Sequence, residues 1–248
     1  MKMISLTKFL LLFVFTFIIL KITNGRESAK FGTIEKYTYG MTNMVPYFVR
    51  NCIKEVEKRG LKEDGLYYKT GNVKMMKKVL KLHSKKNVDL SNFDIHDIIG
   101  ALKTYLRTLY GRIINRTHGE MLISANEARN YYYKEKDMKN IISDFQRPNR
   151  DTLAFLILHM QKVLETPETN LKSSYLASVF GQTLFSNIGL NDKKILKKTY
   201  QRIEVVEELL KIPSSFWKQF GENSPEASPI KSDLEDSEEI SDEFFTFE

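Results

Sequence analysis

Apolar residues recur at three- and four-residue steps through most of the middle of the chain. From Val45 to Glu57 the stripe is Val45, Phe48, Val49, Cys52, Ile53 and Val56, with Pro46 in the first turn and Gly60 as a stop. That spacing predicts an amphipathic helix. The same steps recur over 95–109 (Ile95, Ile98, Ile99, Leu102, Leu106, Leu109) and 152–164 (Leu153, Leu156, Ile157, Met160, Val163, Leu164). They return over 171–186 and over 192–211, where Ile195, Leu196, Tyr200, Ile203, Val206 and Leu210 make the stripe. Nothing reads as a strand ladder, so an all-α fold is predicted. Cys52 lies on an apolar stripe and reads as a small buried core residue rather than a reactive thiol.

The two ends break this pattern. Lys2 and Lys8 precede an uncharged run from Phe9 to Leu20, closed by Lys21. A spanning helix needs roughly 20 apolar residues, so the run reads as a signal peptide over 1–25, cleaved near Gly25 or Ala29, rather than as a permanent membrane anchor. Residues 26–40 read as a linker, 41–211 as one domain and 212–248 as a disordered acidic tail. From Glu222 onward the tail holds ten acidic residues and one lysine. Phe244, Phe245 and Phe247 lie within it, where a solvated tail is favoured over a docking motif.

Charge then sharpens the picture of the middle. The whole chain carries +7, three lysines lie in the first 25 residues, and the segment from Glu222 contributes −9, leaving +13 on residues 26–221. Such a body suits anionic partners. The aromatic residues lie mostly on helical stripes and no nucleic-acid motif is present, so nucleic acid is not expected as a partner. With one cysteine no intramolecular disulfide framework is available, and stability must come from a core that a 42% apolar chain of this length can build. His83, His96, His118 and His159 show no paired metal-ligand spacing, and no glycine-rich phosphate loop exists. Neither a metal nor a cofactor is implied, and a monomer is expected.

Four blocks carry a resemblance: VPYFVRNCIKEVEKRGLKEDGLYYKTG at 45–71, DIHDIIGALKTYLRTL at 94–109, NRDTLAFLILHMQKV at 149–163 and LKSSYLASVFGQTL at 171–184. In this order they resemble the Rho GTPase-activating-protein (RhoGAP) domain family, the first and third blocks being most similar to the centralspindlin type of Rac-directed activator. The resemblance implies a RhoGAP-like helical bundle over about 41–211 that docks on the switch regions of a Rho-family small GTPase, Rac-like in the first instance. It also implies a loop reading G-[IL]-[FY]-R-x-S-G with a catalytic arginine. Here Gly65, Leu66 and Tyr67 lead into Tyr68, so no catalytic residue is intact and Tyr68 occupies the arginine position. A phenol is neutral at pH 7 and offers one weak donor, whereas the guanidinium stabilises charge on the transferring phosphoryl group. Loss of stimulation is therefore expected, with rescue by Lys69 the weaker alternative.

The family's LK-x-[FY]-L-R motif falls on Lys103 and Arg107, four residues apart on one helix side with no acid at i±3 or i±4. The resemblance implies that this pair contacts the GTPase, together with Tyr175, which stands where the family has asparagine. Gln182 replaces a family proline, and Tyr110, Gly111 and Arg112 replace a proline-rich stretch, so damage to the interface is expected there. His159 matches a family histidine and reads as a satisfied core residue. Asn115 opens the sequon Asn115-Arg116-Thr117, a candidate glycosylation site in a secretory route. The exported character resembles that of family members found in parasitoid-wasp venoms. Three readings stay open: a secreted binder that does not stimulate hydrolysis, a residually active activator, and a scaffold or carrier that has lost GTPase binding.

Overall fold

The computed structural model describes residues 31–128, 130–186 and 192–221. The expected signal peptide and the tail from Glu222 lie outside the described residues. Among the described residues the chain runs through α1 (Tyr47–Glu55), α2 (Val73–Leu80), α3 (Ile95–Thr108), α4 (Arg116–Asn126), α5 (Tyr131–Ser143), α6 (Arg147–Glu165), α7 (Ser173–Leu184), α8 (Asp192–Lys211) and α9 (Ser214–Gly221). The fold is all-helical. Two isolated parallel bridges, Phe31 with Leu109 and Ile114 with Phe185, are the β pairings among the described residues.

Local chemistry sets the helix starts. Asn72, Asp94, Asn115 and Asn130 each stand at an N-cap with a side-chain oxygen accepting from backbone N–H groups of the first turn. Pro46 is itself the extended N-cap of α1 rather than a first-turn residue, and beyond Glu55 the helix widens into a π-turn over Val56–Gly60.

The helices bury the stripes seen in the sequence. Ile95, Ile98, Ile99, Leu102 and Leu106 of α3 and Leu153, Leu156, Ile157, Met160 and Val163 of α6 form the centre of one core. Helix α2 packs on α3, α7 on α8, and α9 on α6. The packed body reaches beyond 41–211 at both ends. Phe31 and Ile34, in the stretch expected as linker, are buried, and the Phe31 amide donates to the Thr108 carbonyl at 3.2 Å. Trp217 of α9, in the stretch expected as tail, is buried completely. A large indole leaves water wherever an apolar face will take it, and the acidic composition farther on hid this short helix.

Candidate functional site: the 65 to 71 loop

The segment between the π-turn and α2 is a tight loop fastened at three levels. At its base, the backbone N–H groups of Tyr68 and Lys69 both donate to the Gly65 carbonyl, at 2.8 and 2.9 Å. Gly65 has φ +75° and Tyr67 φ +64°, and the left-handed conformation costs a non-glycine residue about 1–2 kcal/mol. Tyr67 is held there by what surrounds it. At the far end, the Asn72 amide donates to the buried Asp97 carboxylate at 2.6 Å. A Cβ on Gly71 would come within 2.6 Å of that carboxylate and of the His96 carbonyl, so only glycine lets the loop close on the start of α3.

The middle level is a hydrogen-bonded relay. Tyr67 is 1% exposed, and its hydroxyl lies 2.5 Å from Nε2 of His159 on α6. His159 Nδ1 lies 2.8 Å from the Glu57 carboxylate, which also accepts from Lys162 Nζ at 2.5 Å. A carboxylate only accepts, so Nδ1 carries the proton; in a neutral imidazole Nε2 then accepts, and the Tyr67 hydroxyl donates. Burial favours this neutral imidazole, lowering the His159 pKa against the opposing bond to Glu57. Burial also works against Glu57 ionisation, but the bonds from His159 and Lys162 outweigh it and hold the carboxyl near 2. Burial raises the Tyr67 phenol, which stays protonated.

The Tyr67 carbonyl receives two further donors, Lys103 Nζ of α3 at 3.3 Å and the Tyr175 hydroxyl of α7 at 3.2 Å. Burial, followed by the neighbouring Arg107 guanidinium, pulls Lys103 down to about 8. The structure therefore brings Tyr67, Lys103 and Tyr175 to one point, with Arg107 half-buried one helical turn beyond. The cation with no partner on its own helix finds one in the loop. Tyr68 stands at the tip, 54% exposed, its ring centre 5.9 Å from that of Tyr175. Lys69 folds back over Gly65 and pairs with Asp64 at 3.1 Å.

Other expected positions lie apart from the loop. Arg112, at φ +55°, is buried, and its Nη1 donates to the carbonyls of Gln182 and Phe185 at 2.7 and 3.0 Å. It thus satisfies carbonyls at the C-terminal end of α7, while Asn149 donates to the carbonyls of Arg112 and Ile113. Of the positions expected as damage to an interface, Arg112 therefore has an internal role, bonding the backbone carbonyl of Gln182, while Tyr110 is 66% exposed. Asn115 is exposed, and its side-chain oxygen caps α4 through the His118 amide at 2.9 Å.

The family model described as RhoGAP domain matches residues 46–188, which include the loop and all of its anchors. The chain belongs to the RhoGAP domain family. It is 32% identical over 194 residues to Rac GTPase-activating protein 1 of Mus musculus, a match covering 76% of this chain and 31% of that protein. It is 35% identical over 182 residues to Rho GTPase-activating protein 15 of Gallus gallus, covering 71% and 38%. The chain thus spans about a third of the length of these curated relatives. The crystal structure of human Rho GTPase activating protein 15 superposes with a TM-score of 0.67 at 26% identity, over 75% of this chain and 90% of that one. Within this RhoGAP domain, the relay of Glu57, His159 and Tyr67 is the part that sequence reasoning missed. Its one sequence signal was a histidine on an apolar stripe, because a buried imidazole needs partners. Among the described residues no group of three or more His, Cys, Asp or Glu side chains is placed to hold a metal ion.

Proposed function

We propose that this RhoGAP-family chain binds a Rho-family small GTPase, Rac-like first, without appreciably accelerating its GTP hydrolysis. One observation carries the reading: the loop is fully fastened, yet it presents an exposed neutral tyrosine, Tyr68, where the family motif has arginine. Charge on the transferring phosphoryl group needs a fixed cation in a dry interface, worth about 10³–10⁵ in rate for an arginine. The Tyr68 phenol supplies one weak neutral donor. Lys69 is a poor substitute because its ammonium is paired with Asp64 and turned back over Gly65.

Lys103 and Arg107 beside the loop, with the Tyr175 ring against Tyr68, supply the contact surface. The internal Arg112 latch weakens the case for lost binding at that one position, since Arg112 is turned inward to the carbonyls of Gln182 and Phe185. The similarity to the mouse Rac GTPase-activating protein 1 favours Rac over other Rho-family members. The apolar run from Phe9 to Leu20 supports export, and with it action as a secreted, venom-type modulator whose Asn115 is open to glycosylation.

The test pairs binding with chemistry on the full chain. Analogue-loaded Rac, Rho and Cdc42 are titrated with it, and single-turnover GTP hydrolysis is followed with and without it. Micromolar or tighter binding to the GTP form together with an unchanged intrinsic rate is the expected result. A clear acceleration removes the claim of deficiency, and absence of binding to all three removes the claim of a GTPase partner.

A further inference from the structure

The segment directly after the loop carries a second surface, unrelated to the loop's own chemistry. Residues 72–88 contain six lysines, no arginine and no acid. On α2 the residues Met76, Val79 and Leu80 turn inward: Val79 and Leu80 are buried, and Met76 lies against Gly100 of α3. At 100° per residue this places Lys74 and Lys78 near the outward pole, with Val73 and Met75 on its flanks. Both lysines are exposed, and Val73 and Met75 are 44% and 39% exposed, although both are apolar.

Two further exposed lysines, Lys85 and Lys86, follow in the next turn. The Lys86 backbone carbonyl accepts from Asn51 Nδ2 at 3.2 Å, which fastens this turn to α1. There the Lys86 ammonium and the Arg50 guanidinium sit 5.6 and 5.9 Å from the Tyr47 ring centre, so the cationic area continues onto α1.

The composition of this face selects its partner. Lysines alone, without a guanidinium fork on the segment, suit a diffuse layer of negative charge better than one clamped phosphate or carboxylate. A convex helix face with a cationic pole, apolar side chains at its margins and no exposed aromatic platform on the segment suits adsorption to a charged lipid boundary rather than stacking on bases. We propose that the outward face of α2, with Lys74, Lys78, Lys85 and Lys86 as its charges and Val73 and Met75 as its apolar contacts, seats on an anionic phospholipid surface.

The test uses the full chain and co-sedimentation with two kinds of vesicle, pure phosphatidylcholine and phosphatidylcholine containing about 30% phosphatidylserine. Binding is expected to require phosphatidylserine and to weaken with salt. Lys74→Gln with Lys78→Gln should weaken it about thirtyfold, as should Lys85→Gln with Lys86→Gln, with unchanged melting temperatures because these side chains are exposed. Met75→Ser should give a smaller loss. Equal binding to both vesicle types assigns the interaction to the apolar run at Phe9 to Leu20 and overturns the proposal, as do lysine variants that bind like wild type. Cross-links from Lys74 or Lys78 to carboxylates of residues 222–248, with no vesicle binding, overturn it in favour of the chain's own acidic end.

Discussion

Tyr67 and Tyr68 are neighbours in one loop, yet one is 1% exposed and the other 54%. The root of the loop, at Tyr67, is over-determined: its hydroxyl is bonded to His159, its carbonyl receives Lys103 and Tyr175, and its ring packs on Phe180. The tip, at Tyr68, has a ring contact to Tyr175 and open water. Folding constrains the root side chain by side chain and leaves the tip facing solvent. A change at the tip therefore has little effect on the frame, and the fold of the loop does not depend on which side chain stands at position 68.

The sharpest way to break the contrast is Tyr67→Ala. It empties a buried aromatic site and leaves alanine in a left-handed conformation, so a loss of about 4 kcal/mol is expected, lowering the melting temperature by roughly 10 °C. Tyr68→Arg should do the opposite kind of thing. On the proposed function, single-turnover hydrolysis should rise roughly 10²–10³-fold while the melting temperature stays put, because the exposed tip has little contact with the frame. A rise in rate accompanied by destabilisation would show that the tip is not independent of the root.

Smaller effects probe the relay. Tyr67→Phe keeps the ring but leaves the buried His159 Nε2 without a donor, which should cost about 1–2 kcal/mol in denaturant unfolding. Acid probes the same bonds. The folded protein holds the Glu57 carboxyl near 2 against an ordinary 4.5, and holds His159 below its ordinary 6.5. In both cases the unfolded chain binds more protons, so stability falls as pH drops below about 6.5 and falls further between about 4.5 and 2. Glu57→Gln should make the acid limb of a melting-temperature profile shallower. Smallest of all, Tyr68→Ala should change stability by no more than about 0.5 kcal/mol.

The long helices were legible because their stripes are long enough to set a period: Ile95–Thr108, Arg147–Glu165, Ser173–Leu184 and Asp192–Lys211 all correspond to stripes in the sequence. Val73–Leu80 was not, since it is eight residues long and its three lysines match its three inward-facing residues, Met76, Val79 and Leu80, in number. Arg116–Asn126 buries Gly119, Leu122 and Ile123, too few to stand out, and Ser214–Gly221 borders the acidic end. At the loop, the motif located Tyr68, Lys103 and Tyr175. The Glu57–His159 bond joins positions 102 residues apart, and Arg112 reaches carbonyls 70 and 73 residues away. Bonds over such separations follow from the assembled bundle and leave no local spacing to read.

Cys52 sits wholly buried in α1, with its thiol pushed well above the ordinary range by burial alone. An oxidant would have to unfold α1 to reach a thiolate there. As the chain's sole cysteine it also has no second thiol in the molecule with which to close a bridge. The fold is thus indifferent to redox potential: the same packing serves in an oxidising lumen and in a glutathione-rich cytosol, with nothing to reduce or rearrange in passing between them.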